Sequence, residues 1–213
     1  ESALESDIDL LNKTNRHVLS YSGKMIRPLL TLLSADACSG SGPSEDSCRY
    51  AAAAELLHNA TLMHDDVVDN SDRRRGKPTL KSIMGPSVSV LVGDYWLVKA
   101  MEKIMDSDHA STTVIRLFSD TLSHLAEGEL LQLQKAGNCD TDEDDYTRII
   151  FCKTASLFEA AAVSGAISVD ADDEKKEAIR TYAKCTGLAF QIKDDIFDYS
   201  GEDNKIGKPA GVD

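Results

Sequence analysis

Two acidic patterns stand out: Asp65-Asp66-x-x-Asp69 and Asp194-Asp195-x-x-Asp198. Each sets two adjacent carboxylates before a third one helical turn later, so at helical pitch the first and last acids share a face. Each closes an apolar stretch, Ala51–Leu57 with Leu62-Met63 in one case and Gly187-Leu188-Ala189-Phe190-Gln191-Ile192 in the other. A solvated last turn would account for either cluster alone. Acids at a helix C-terminus oppose the macrodipole, however, so neither cluster is there to stabilise its helix. Two copies, each at the end of a mostly buried helix, read better as one shared site. Carboxylates this close repel and lose hydration under a cleft unless cations neutralise them.

Hard oxygen ligands suit Mg²⁺, Mn²⁺ or Ca²⁺. The patterns lack the loop glycine and alternating oxygens of an EF-hand, which argues against calcium storage. Mg²⁺ shares its sphere with substrate phosphates. Bases follow the first cluster at Arg73, Arg74, Arg75 and Lys77, with more at Lys24, Arg27, Lys153, Lys193, Lys205 and Lys208. Acids, metal and bases together are what a diphosphate site needs: the metal clamps phosphate oxygens and arginine forks bind the rest. Read singly, these residues are bland. His58 alone is a core histidine, Arg73–Arg75 a solvated loop, and Glu127 the wet face of a helix. His64 beside the acids is at most a supporting partner.

The elements that must position these groups are helical. The chain has 213 residues with few Gly, Pro and aromatic residues, and shows no sustained period-2 alternation. Expected helices cover 2–19, 29–38, 45–69, 87–105 (interrupted at Gly93-Asp94), 109–136, 146–168 and 172–199. Pro28 sits in a first turn, a loop spans 39–44, and a basic connection spans 70–84. Residues 1–213 thus read as one all-α domain, a helical bundle around a central cavity. The net charge of −13 disfavours nucleic acid. Five scattered cysteines without CxxC spacing suit free thiols in a reducing cytoplasm. No apolar run of transmembrane length and no signal peptide are read. The two ends look like cuts.

In order, Gly23-Lys24-x-x-Arg27-Pro28, His58, Asp65-Asp66-x-x-Asp69, Arg74-Arg75-Gly76-Lys77-Pro78-Thr79, Gly93-Asp94, Lys153-Thr154, Phe190-Gln191 and Asp194-Asp195-x-x-Asp198 resemble the trans-isoprenyl diphosphate synthases (polyprenyl synthetases). The resemblance runs from residue 22 to about 208. Two features depart: Ser22 stands where the family has a glycine, and family members start earlier and continue past residue 213 through further helices that help close the site.

The resemblance implies a prenyltransferase. An allylic diphosphate ionises, isopentenyl diphosphate attacks the cation, and a proton is lost to the released diphosphate. Asp65, Asp66, Asp69, Asp194 and Asp198 match positions that hold Mg²⁺, with Asp195 supporting. Arg74, Lys153 and Lys208 match the allylic diphosphate site. Lys24, Arg27, His58 and Arg75 match the isopentenyl diphosphate pocket. Thr154 and Gln191 match polar residues beside the developing cation. A dry cavity would protect that cation, and the apolar faces of helices 45–69 and 87–105 can line it.

In the family, residues about one turn before the first acids point down the cavity that sets product length; Ala60 and Thr61 are small there, and Val67-Val68-Asp69-Asn70-Ser71-Asp72 resembles the medium- and long-chain synthases that make quinone side chains, so the resemblance implies a long product. Ala60→Tyr or Phe should shorten it. The alternatives are a short-chain (farnesyl or geranylgeranyl) synthase, a non-catalytic subunit of a heteromeric synthase, a terpene cyclase, and a helical metal binder without activity. Subunits of that kind lose one acidic cluster, and both are present here. Cyclases lack the pocket formed by Lys24, Arg27 and His58. By resemblance the protein is a homodimer. No membrane anchor is read in this acidic chain, and release of an apolar product would call for transient contact with a membrane surface.

Overall fold

The computed structural model describes residues 4–20, 23–74, 76–108, 112–138 and 140–200. Arg75, Lys205 and Lys208 lie outside them. Helices dominate: α1 (Asp9–Leu19), α2 (Ile26–Ser39), α3 (Glu45–Val68), α4 (Leu80–Met84), α5 (Pro86–Met105), α6 (Thr112–Asn138), α7 (Glu143–Ile150), α8 (Ser156–Ile167) and α9 (Asp173–Ser200). Between α7 and α8, Phe151–Ala155 forms one π-helical turn. The all-α expectation holds, with one addition. The basic connection folds into a small antiparallel ribbon of β1 (Arg73–Arg74) and β2 (Lys77–Pro78), with Arg74 opposite Lys77. Gly76, at φ 75°, makes its turn in a region other residues rarely adopt.

α3 is the central helix and packs against α2, α5 and α8. Its apolar residues between Tyr50 and Met63 are buried on several faces, as a helix with neighbours on most sides requires. Its start is fixed by a capping box: Ser44 Oγ accepts from the Ser47 backbone and Ser47 Oγ from that of Ser44. The two hydroxyls also bond to Ser168 at the end of α8, joining α3 to α8. The core around α3 contains Tyr50, Leu57, Ala60, Trp96, Phe118 and Leu157. Two of its large buried side chains have their polar atoms paired. Trp96 Nε1 donates to Asn15 Oδ1 at 2.8 Å, and Tyr50 pairs with Ser107 at 2.8 Å.

Three expectations are corrected. α5 runs unbroken through Gly93-Asp94. Gly93 is a contact point rather than a break, because a Cβ there would lie 2.4 Å from His64 Nε2 on α3. α2 begins three residues earlier than expected, at Ile26, with Met25 in a left-handed conformation (φ 51°) just before it. Finally, the continuous run Glu143–Ile167 is long and apolar enough by length and composition to cross a bilayer. Its most apolar window is 83% buried within the protein, so packing among α2, α3, α6 and α9 accounts for that composition.

Candidate active site

The first acidic pattern occupies the last turn of α3. Asp65 and Asp66 are helical, and Asp69 is the C-cap. Their environments differ. Burial, with a smaller push from Glu129, raises the Asp65 carboxyl to about 6 against the opposing pull of Lys153 and Arg74. Asp66 is 5% exposed and turns towards the ribbon, where it accepts from Arg74 Nε at 2.8 Å. Burial raises its carboxyl also, and Arg74 offsets part of that. Asp69 is exposed.

Lys153 and Thr154 come from the π turn. A π turn carries one more residue per hydrogen-bonded ring than an α turn and widens the helix locally. Here it is clasped from two sides by glycine. A Cβ on Gly128 of α6 would lie 2.7 Å from Cys152 Cβ, and one on Gly187 of α9 would lie 2.6 Å from Ala155 Cα. These close approaches bring α6 and α9 onto the same turn. Lys153 Nζ then lies 2.7 Å from Glu129 Oε2 and donates to Gln132 Oε1 at 2.7 Å, both on α6. Thr154 donates to Gln191 Oε1 on α9 at 2.6 Å.

The second acidic pattern lies near the end of α9, as expected. Asp194 is exposed. Asp195 takes a direction the spacing alone does not give. Its Oδ1 accepts from Gln191 Nε2 at 2.8 Å and its Oδ2 from the Tyr146 hydroxyl at 2.6 Å. Burial first, then this bond, pushes Tyr146 up to about 12.

Asp65, Asp66, Arg74, Lys153, Thr154, Gln191 and Asp195 are therefore linked through α3, the ribbon, the π turn and α9. Among the residues matched to an isopentenyl diphosphate pocket, Lys24 is exposed, and Arg27 lays its guanidinium over the Phe158 ring at 5.0 Å. The His58 carbonyl accepts from Thr61 Oγ1 at 2.9 Å. His64 Nε2 lies 3.2 Å from Asp94 and 3.3 Å from the Val90 carbonyl. Glu127 faces water beside Arg148, as expected.

Ala60 is fully buried and borders no water-accessible space, whereas Thr61 is partly exposed. A cavity of about 390 Å³ does lie between α3 and α5, also bordered by α1 and α2. Its walls are mainly apolar, from Leu56 and Trp96 to Met25, with Glu55, Asn59 and Lys103 also lining it, and neither of the two acidic patterns reaches it. Ala60 does not line it.

Along the chain Glu129 has no assigned role, Gln132 reads equally as a cavity wall or a wet helix face, and Tyr146 has no assigned role. A signal existed for the first two: their i, i+3 spacing puts both on one face of α6, next to Gly128. Tyr146 left none, because its partner is 49 residues away.

Among the described residues, no three acidic, histidine or cysteine side chains converge closely enough to enclose a metal by themselves. The available donors are carboxylates, which suit Mg²⁺ or Ca²⁺, and such ions accept one or two carboxylates when substrate phosphates complete the shell. The donor set therefore fits a divalent ion held jointly with a phosphorylated ligand.

Fold and site together define a helical protein whose acidic and basic groups meet around a buried π turn. Residues 8–213 match the polyprenyl synthetase family, and the chain belongs to it. It is 40% identical over 210 residues to the octaprenyl diphosphate synthase of Escherichia coli, covering 99% of this chain and 64% of that protein. It is 38% identical over 208 residues to a short chain isoprenyl diphosphate synthase of Methanocaldococcus jannaschii, covering 96% of this chain and 62% of that protein. Among solved structures, a polyprenyl synthase from Caulobacter crescentus complexed with calcium and isoprenyl diphosphate superposes with a TM-score of 0.91 at 39% identity, covering 100% of this chain and 63% of that one. The chain thus spans somewhat less than two thirds of the length of these relatives.

Proposed function

We propose that the protein is a trans-prenyltransferase that joins an allylic prenyl diphosphate to isopentenyl diphosphate. The observation that carries this reading is the meeting of Asp65, Glu129 and Lys153 beside the Thr154–Gln191 pair. Charged groups for a diphosphate adjoin neutral oxygens suited to a cation. Family membership and the relatives' names support the same reading.

Mg²⁺, held by Asp65, Asp66, Asp69, Asp194 and Asp198 together with the substrate, would stabilise the charge that develops on the leaving diphosphate. Arg74, Lys153 and Lys208 bind that diphosphate. Lys24, Arg27, His58 and Arg75 bind isopentenyl diphosphate. Thr154 and Gln191 face the allylic cation. The long-chain reading is kept on the small side chains at Ala60 and Thr61, and a short-chain relative of similar identity defines the competing outcome. Incubation with Mg²⁺, farnesyl diphosphate and isopentenyl diphosphate, followed by product chromatography, tests both. No extended product would refute the activity, and a product one unit longer would refute the length.

The active form is a homodimer in a reducing cytoplasm, with transient membrane contact at product release and no nucleic acid. Leu91, Val98 and Met105 support the dimer. They recur every seven residues on α5 and are 67%, 56% and 56% exposed. Val98→Glu should yield monomers in light scattering, and an unchanged mass would refute that face.

A further inference from the structure

Asp195 is bonded unlike a metal ligand in waiting. Tyr146 donates to one carboxylate oxygen and Gln191 Nε2 to the other, while Gln191 Oε1 accepts from Thr154. A carboxylate only accepts. Gln191 must therefore turn its NH₂ group towards Asp195, since the reverse would set oxygen against oxygen. The amide oxygen then faces Thr154 and draws the single hydroxyl proton. The bonds from Thr154, Gln191 and Tyr146 all point towards Asp195, so this one carboxylate fixes the polarity of the row. Thr154 Oγ1 and Gln191 Oε1 are left with lone pairs alone to offer the adjoining space. Oriented oxygens of this kind favour a cation and disfavour a phosphate. Thr154 is 7% exposed, so water screens its dipole little.

We propose that Tyr146 and Asp195 are positioning residues that lock the Gln191–Thr154 pair with its lone pairs towards the allylic cation, and that Asp195 acts through Gln191 rather than on the metal. This rests on the prenyltransferase reading. It gives the supporting part of Asp195 a definite target, the Gln191 amide, and it assigns Tyr146 a positioning role.

The test is steady-state kinetics of the intact chain with Mg²⁺, farnesyl diphosphate and isopentenyl diphosphate. Tyr146→Phe should lower kcat about threefold to tenfold and Asp195→Asn about tenfold to a hundredfold. The KM values and the half-saturating Mg²⁺ concentration should stay within about twofold, because neither variant touches diphosphate or metal. In a Gln191→Ala background, Tyr146→Phe should have no further effect, since its influence passes through Gln191. Two outcomes would overturn the proposal. One is a marked rise in half-saturating Mg²⁺ for Asp195→Asn with Tyr146→Phe silent. The other is full additivity of Tyr146→Phe with Gln191→Ala.

A second measurement stands apart from turnover. Binding of a linear alkylammonium ion, a stable stand-in for the cation, is followed through the ¹⁵N-labelled side-chain amide of Gln191. The proposal expects that amide to move towards solvent-like shifts in Tyr146→Phe, with weaker ammonium binding in Asp195→Asn. Unchanged shifts and affinities would overturn it. If the unmodified chain makes no product, the prenyltransferase reading fails, and this measurement still decides whether Tyr146 and Asp195 orient Gln191.

Discussion

Lys153 Nζ and Glu129 Oε2 lie 2.7 Å apart, so the lysine matched to the allylic diphosphate already has an anionic partner before any ligand arrives. Glu129 also acts on Asp65, raising its carboxyl. One carboxylate thus tempers a base and opposes an acid. Glu129→Gln removes both effects and leaves the site more positive. It should bind inorganic diphosphate with Mg²⁺ roughly threefold to tenfold more tightly, as measured by calorimetry. Weaker binding would mean that Glu129 serves chiefly to aim Lys153.

Asp65 ties function to stability. Its carboxyl, at about 6, stands above the ordinary aspartate value of about 3.9. A raised folded-state value stabilises the protein fully below the unfolded value, and that contribution is lost as pH rises through about 6. Near neutral pH the ionised Asp65 therefore costs the metal-free protein, on the order of 2 to 3 kcal/mol. Asp65→Asn should raise the Tm of metal-free protein at neutral pH. The gain should shrink as pH falls from about 6 towards 4, while turnover is abolished. An equal Tm gain at every pH would sink the ionisation argument.

Arg74 and Asp66 form a part-buried pair through Nε at 2.8 Å. Removing the guanidinium leaves the Asp66 carboxylate buried without its counter-charge. Arg74→Ala should lower stability by about 1 to 3 kcal/mol in urea unfolding. Arg74→Lys should recover little of that, because an ammonium cannot reproduce the guanidinium geometry. Full recovery by lysine would reduce the pair to simple charge balance.

Ala60 and Thr61 separate two effects on product length. Ala60 is enclosed by the core, so Ala60→Phe should overpack it, at about 1 to 3 kcal/mol. Thr61 is partly exposed, and Thr61→Phe should shorten the product with little change in Tm. Unchanged product lengths in both variants would remove these positions from length control.

Much of this arrangement could be read along the chain. Helical composition, the two acidic patterns and the boundaries of α3 depend on residues within a few turns of one another, where periodicity and capping act. Gly93 shows the limit. Along the chain it reads as a break, but in three dimensions it is the gap that admits the His64 ring. The π turn left no local signal either, because close approaches by Gly128 and Gly187 flank it.

The acids themselves divide the same way. Their identity and spacing come from the sequence, because helical pitch alone puts Asp65 near Asp69 and Asp194 near Asp198. Where each carboxylate points depends on partners far along the chain: Arg74 for Asp66, Glu129 and Lys153 for Asp65, Tyr146 for Asp195. Local rules are short-ranged. A carboxylate's charge state and direction answer to whatever burial and packing bring within hydrogen-bonding distance, and only the tertiary structure decides that.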